Sequence, residues 1–268
     1  MVRKGSLRKA LISRSGDSIA FSTVIVSSAI LMIAIVTASV ANNVLELQMQ
    51  ATEFENSKMG MRLLADLIMD VGLRHGSGGS VRFNARTGGF NVEKTGKTFK
   101  VGYSKNGNYE PLFNVPSCVS FSFRGGSAMS TYDDTLIGNS RLIITAPSIP
   151  LAHLWTEQKN GAWIRLDFNR IRVVESGIVN INGENYAYVD VVFIQLEPGT
   201  YYGFYPPSLN VKVQNLGVNV FSVNTNSKSI GIEVSLGDTK EETSITSQYN
   251  IILTVTIAKV SISLAGGG

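Results

Sequence analysis

Residues 18–45, SIAFSTVIVSSAILMIAIVTASVANNVL, form a run of 28 residues without a charge, bracketed by Asp17 and Glu46. An α-helix rises about 1.5 Å per residue, so roughly 20 residues cross the hydrocarbon core of a bilayer. The run spans with residues to spare, and whatever else the chain builds must be attached to it. Arg3, Lys4, Arg8, Lys9 and Arg14 precede it with no acid before Asp17, whereas Glu46, Glu53 and Glu55 follow it before the next lysine, Lys58. Because Lys and Arg favour the cytoplasmic side, this asymmetry predicts a cytoplasmic N-terminus and an extracellular remainder.

The formal net charge of +4 belongs to the leader: five of the 24 Lys and Arg residues lie there, leaving 19 basic against 20 acidic residues in the rest. A nucleic-acid footprint needs a basic face on the folded part, so DNA and RNA are not expected partners. The single cysteine, Cys118, excludes an intrachain disulfide. Two histidines, His75 and His153, leave little material for zinc or imidazole chemistry. There is no G-x-S-x-G, H-E-x-x-H, P-loop or cysteine pair, so no enzyme activity, catalytic residue, cofactor or metal is predicted. His153, in LAHLW, is expected to be a satisfied structural histidine, and Cys118, in PSCVSFSF, a small core residue. Asp133 with Asp134, and Glu241 with Glu242, lack the ordered alternation of oxygen ligands that a calcium loop uses, and are read as solvated loop charges.

The helical pattern does not stop at the membrane. From 46 to 71 there is no proline, and Gly60 is the only glycine. Leu47, Phe54, Met61, Leu64, Ile68 and Val71 recur at spacings of 3, 4 and 7 on one face, with Gln50 and Ser57 interrupting the stripe. Glu55 with Lys58, and Arg62 with Asp66, can pair one turn apart, and Gly72 is a good helix stop. A continuous helix over 17–71 has 55 residues, about 80 Å of rise. A mere tether needs no such length.

An ordinary secretory signal has an apolar region of about 7–15 residues closed by a small-residue cleavage site. Here a short basic leader runs straight into a longer apolar helix with no such site, which is the layout of a prepilin. In this the chain resembles the archaeal type IV pilin and archaellin superfamily, over residues 1–72. The resemblance implies a leader, 1–16, cut by a dedicated membrane peptidase after a small residue. Gly16, followed by Asp17, lies nearest the apolar run; Ala10, preceded by Lys9 and followed by Leu11, is the alternative, and Gly5 lies too far out. A cut after Gly16 makes Phe21 the fifth mature residue, where bacterial pilins carry glutamate, which points to the archaeal branch. The resemblance further implies a helix, 17–72, whose first half, 18–45, bundles in a filament core through such residues as Phe21, Ile25, Ala29, Met32 and Val36. Its second half, 46–72, would pack on the chain's own head. Implied partners are copies of the chain or related subunits, a prepilin peptidase, an assembly ATPase with its platform, and membrane lipid before assembly. A surface filament would be its destination. The other reading of the same residues is an uncut signal anchor carrying a static binding module. No N-x-S/T sequon occurs, although archaeal surface filaments are often glycosylated.

GSGGS at 76–80 reads as a flexible joint. Beyond it the period becomes alternating: strands are expected over 81–85, 98–103, 117–124, 141–145, 163–168, 171–174, 209–214, 218–223 and 230–236, with a hairpin over 178–196 turning at 182–185. The run YAYVDVVFIQL is apolar on both faces and should lie centrally between two layers. In the last strand, 249–264, the apolar set changes from Ile251, Leu253, Val255 and Ile257 to Val260, Ile262 and Leu264. Such a phase change calls for a bulge or a strand crossing between sheets. This strand should pair near the start of the head or pack along the helix. The expected fold is α+β: a long N-terminal hydrophobic helix followed by an all-β sandwich head of about 10 to 14 strands over 73–268, with a split near 147–150 as an alternative. The cluster Tyr201, Tyr202, Phe204 and Tyr205 before two prolines offers an aromatic surface for a sugar or a neighbouring subunit.

Overall fold

The computed structural model describes residues 6–266 other than 85, 128, 140–142 and 202–207, with side chains from residue 20 to 265 except 201. One helix, α1 (Ser6–Gly72), is followed by fifteen strands in three sheets. The chain divides into two compact units, Met1–Met49 and Gln50–Gly268. The first unit is helix wherever it is described, starting at Ser6 rather than at Asp17. Leu, Arg, Lys and Ala in SLRKAL are good helix formers, so Ala10, Leu11, Gly16 and Asp17 all lie inside the helix and no break marks either candidate cut.

In the second unit, the helical residues Phe54, Met61, Leu64, Ala65, Ile68 and Val71 are buried, as are Gln50 and Ser57. The expected stripe therefore starts at Gln50, one turn later than its first predicted member, because Leu47 is exposed. Glu55 and Lys58 pair as expected at 2.7 Å, and a second pair forms between Asp70 and Arg74 at 2.8 Å. Gly60 makes room for the Phe83 ring, whose Cε1 lies 2.5 Å from where a Cβ would be. Phe83 cannot swing away, since it packs on Phe90 and Phe121 with ring centroids 4.6 and 6.4 Å off. Glycine to alanine in a helix normally gains about 1 kcal/mol. Here Gly60→Ala is expected to lose about 1–2 kcal/mol instead, through overpacking, read as a lower denaturant midpoint with unchanged slope.

The segment expected to be a flexible joint is a bonded turn. Arg74 N–H donates to the Val71 carbonyl at 3.2 Å, and the Ser77 hydroxyl donates to the carbonyls of Arg74 at 2.6 Å and Val71 at 3.0 Å. The strand that follows begins at Gly78. A Cβ on Gly79 would lie 2.7 Å from Leu67, so glycine serves here for close approach rather than for mobility.

In chain order the strands are β1 (Gly78–Asn84), β2 (Gly89–Lys94), β3 (Phe99–Lys105), β4 (Asn108–Val115), β5 (Val119–Arg124), β6 (Asp134–Ile137), β7 (Ile144–Thr145), β8 (His153–Gln158), β9 (Ala162–Asp167), β10 (Ile171–Ile181), β11 (Glu184–Tyr201), β12 (Ser208–Asn224), β13 (Ser229–Leu236), β14 (Thr239–Thr246) and β15 (Asn250–Gly266). They form a six-stranded sheet β1-β12-β15-β11-β10-β7, a four-stranded sheet β14-β13-β3-β4 and a five-stranded sheet β2-β5-β9-β8-β6. The head thus has three sheets where two were expected.

Two hydrophobic cores share the six-stranded sheet. One gathers the helix residues Phe54 to Val71, the apolar side of the five-stranded sheet, and Ala258, Val260, Ile262 and Leu264 of β15. The other gathers the four-stranded sheet with Ile251, Leu253, Val255 and Ile257. The phase change in β15 therefore needs neither a bulge in that strand nor a crossing: its register with β11 is unbroken from Asn250 to Ile262. Its first half faces one core from one side, and its second half faces the other core from the opposite side. β11 repeats the pattern, with Val189, Val191 and Phe193 in one core and Ile194 and Leu196 in the other. β11 is central and covered on both faces, as its sequence requires. β15 packs in the helix-bearing core as expected but pairs with β11 and β12, while β1 pairs one strand further out. The two segments expected over 209–214 and 218–223 are one strand, β12, interrupted by a bulge between Asn215 and Gly217. No division falls at 147–150, since both cores draw strands from either side of it.

Candidate functional site

Two surfaces stand out. Among the described residues a single helix, Ala20–Gly72, is long and apolar enough to cross a membrane. Over 20–45 its apolar residues are exposed around the whole circumference: Phe21 is 71% exposed, Ile25 65%, Met32 68% and Val36 56%, and Ala29 is also open. Ile30, Leu31, Ile33 and Ile35 are exposed between them. A helix apolar on every side is stable only against lipid or other helices. The Ser28 hydroxyl donates back to the Ile25 carbonyl at 2.9 Å, which satisfies it inside the helix as an apolar environment demands.

The second surface is the outer face of the five-stranded sheet. Its strands alternate: Phe90, Val92, Val119, Phe121, Phe123, Leu154, Ile164 and Leu166 belong to or pack against the core, so their neighbours point the other way. Register then lines up Glu93, Ser120, Asp167 and His153 across β2, β5, β9 and β8. Arg165, one row along, donates to Glu93 at 2.7 Å and to Glu157 at 2.6 Å, and its guanidinium lies 5.0 Å from the Trp163 ring. Arg170 pairs with Asp167 at 3.0 Å and donates to the Asn139 carbonyl at 2.9 Å. With the turn between β13 and β14, this face bounds a cleft of about 620 Å³.

The floor of the cleft is buried. Ser120 is 4% exposed and His153 7%, yet among the described residues neither the Ser120 hydroxyl nor His153 Nε2 has a hydrogen-bond partner. His153 stacks on Trp155, ring centroids 4.3 Å apart. Its sequence setting predicts a satisfied structural histidine, whereas among the described residues its Nε2 has no partner. Burial, and then the Arg170 charge, push its pKa down to about 3, so the imidazole is neutral at physiological pH. Burial raises the Asp167 carboxyl, with the Arg170 guanidinium as its counter-ion pulling it back. Ser120, Asp167 and His153 do not form a nucleophilic triad. Asp167 lies between the other two in the register, which puts the hydroxyl and the imidazole two strands, about 10 Å, apart.

The lowered His153 pKa fixes a pH dependence. The unfolded chain takes up this proton below about pH 6.5 and the folded chain only near 3, so stability falls as pH drops through that window and is untouched by this group above it. Between pH 7.5 and 4 the full chain in detergent should lose about 3 kcal/mol more than its His153→Gln variant. The difference cancels most of the opposing contribution of Asp167. Equal losses in both would show that His153 is accessible to protons in the fold.

Cys118 is buried in the second core as expected, its thiol pushed up to about 12 by burial. His75 is exposed in the turn after the helix. The acids read as solvated loop charges are more engaged than that. Glu241, on β14, accepts from the Ile143 and Ile144 amides at 2.7 and 2.8 Å, and Asp133 accepts from the Gln158 amide at 2.9 Å. Among the described residues no cluster of His, Cys, Asp and Glu could hold a metal ion. Of the aromatic cluster, Tyr202, Phe204 and Tyr205 lie outside the described residues, and Tyr201 ends β11 with its backbone opposite Leu264. No family model, curated protein or solved structure matches the chain significantly.

Proposed function

We propose that the chain is a type IV pilin-like, archaellin-related structural subunit, held in the membrane as a precursor, processed at its leader and assembled through its helix into a surface filament. The observation that carries this reading is α1. The helix is apolar on all sides over its first part, and over Gln50–Gly72 it is a wall of the head's own core. An anchor needs only the apolar span. A filament subunit needs the span to bundle with its neighbours and the continuation to fix the head on the bundle. The basic leader keeps the N-terminus cytoplasmic before assembly. Peptidase, ATPase and platform supply the chemistry, and the subunit supplies packing.

The test is the mature N-terminus, read by mass spectrometry on protein from its native membrane or surface fraction. A terminus at Asp17 or Leu11 is expected. An intact terminus at Met1 or Val2 would overturn the reading in favour of a signal-anchored binding module.

A further inference from the structure

An outward sheet face normally shows its polar groups to water, and part of this face of the five-stranded sheet does not. Ser120 and His153 are buried at the floor of the cleft with polar atoms that have no partner among the described residues. Each such atom costs about 1–3 kcal/mol unless something pairs with it. The acids around them are spoken for: Glu93 and Glu157 by Arg165, and Asp167 by Arg170. Lys94, Lys97 and Lys159 stand exposed on the rim and, among the described residues, form no ion pair. Half-buried Trp155, backed by His153, adds an apolar ring to walls that are polar apart from Ile143 and Leu236.

We propose that this cleft binds an acidic saccharide, a sugar bearing a carboxylate. Its hydroxyls would meet Ser120 and His153 at the floor, its C–H face the Trp155 ring, and its carboxylate the rim lysines. A hydroxyl both donates and accepts, and the free nitrogen of a neutral imidazole does one or the other, which matches sugar hydroxyls. A bare anion on the floor would meet the Glu93 and Asp167 carboxylates instead. A neutral sugar would leave three lysines without a role. The volume of about 620 Å³ falls in the range of small-molecule sites and accommodates one or two sugar units. The inference is independent of the filament reading, since it concerns the head alone and holds for a subunit or a static anchor.

The test uses the full chain in zwitterionic, sugar-free detergent, on an array of disaccharides containing uronic or sialic acid together with their neutral counterparts. At least one carboxylated sugar should be retained about tenfold over its neutral counterpart. Ser120→Ala should weaken that signal several-fold. Lys97→Glu combined with Lys159→Glu should abolish it at an unchanged thermal midpoint, because both side chains are on the surface. Retention of no carboxylated sugar, equal retention of the neutral ones, or binding that survives the double charge reversal would overturn the proposal. So would inorganic phosphate competing as tightly as the best sugar, which would mark a bare anion site.

Discussion

Replacing Asn215 with alanine is expected to cost about 3 kcal/mol of head stability. Asn215 sits at the β12 bulge and is buried, and its amide donates to the Gly72 carbonyl at 2.8 Å and the Val71 carbonyl at 3.0 Å. It thereby caps the C-terminus of α1 from a strand far away in sequence. Its Oδ1 accepts the Gly217 amide at 2.7 Å, which holds the bulge in shape. Val71 would survive the loss, because Arg74 and Ser77 also donate to it, but the Gly72 carbonyl would lose this donor in a buried place. Asn215→Asp separates the cap from the bulge. It keeps the acceptor for Gly217 but sets a carboxylate against two carbonyls at the negative end of a helix, so it should be at least as damaging as alanine. Chemical denaturation of the full chain in detergent reads both variants. An Asn215→Asp variant as stable as the parent would show that the side-chain amide does not hold the helix end.

Ala29→Arg is expected to abolish filament assembly while leaving the head folded. Ala29 lies within the exposed apolar surface of α1, more than a helical turn from any charge in the sequence. A single arginine on a long apolar helix costs about 2.5–3.5 kcal/mol at mid-bilayer by insertion scales, which an otherwise strong span tolerates. In a bundle the same group must be buried against several neighbours at every subunit, with no carboxylate to meet it, and each unpaired buried charge is far costlier. The variant should therefore reach the membrane and fold its head, seen as an unchanged thermal midpoint, yet yield no filaments by electron microscopy. Filaments of normal abundance from the variant would remove this face of the helix from the assembly interface.

The helix and the β-rich head were legible because their signals are local. The uncharged run, the stripe through Phe54, Met61 and Val71, and the Asn-Gly turn at Asn182 and Gly183 each act over a few residues. Asn106–Gly107 and Asn160–Gly161 carry the same turn signal, both Asn residues having positive φ, and they close the β3–β4 and β8–β9 hairpins. Those turns mark β4 and β8, two strands that periodicity alone does not bring out. The glycines at 76–80 misled, since composition does not distinguish a glycine that flexes from one that lets two elements touch. The cleft was hidden for a different reason. The alternation in HLWTEQ and WIRLD shows a polar face, but only the register of β2, β5, β9 and β8 sets Glu93, Ser120, Asp167 and His153 in one row. Segments distant in the chain, Ile143 and the end of the β13–β14 hairpin at Leu236 and Thr239 among them, wall that row in. The phase change in β15 was visible as a pattern; that it means one sheet serving two cores follows from the position of the helix, which strand periodicity does not record.

That sharing gives the last strand a hold over timing. β15 is made after every other described strand, and neither core is complete without it. It also fills the place between β11 and β12, so the widest sheet stays in two pieces until it arrives. Until β15 is made the head stays open, because the contacts that this strand closes are nearly all non-local. Chains stalled or clipped before β15 lose both cores together rather than one. Folding of the head is then all or nothing, with no half-built form that keeps one core and lacks the other.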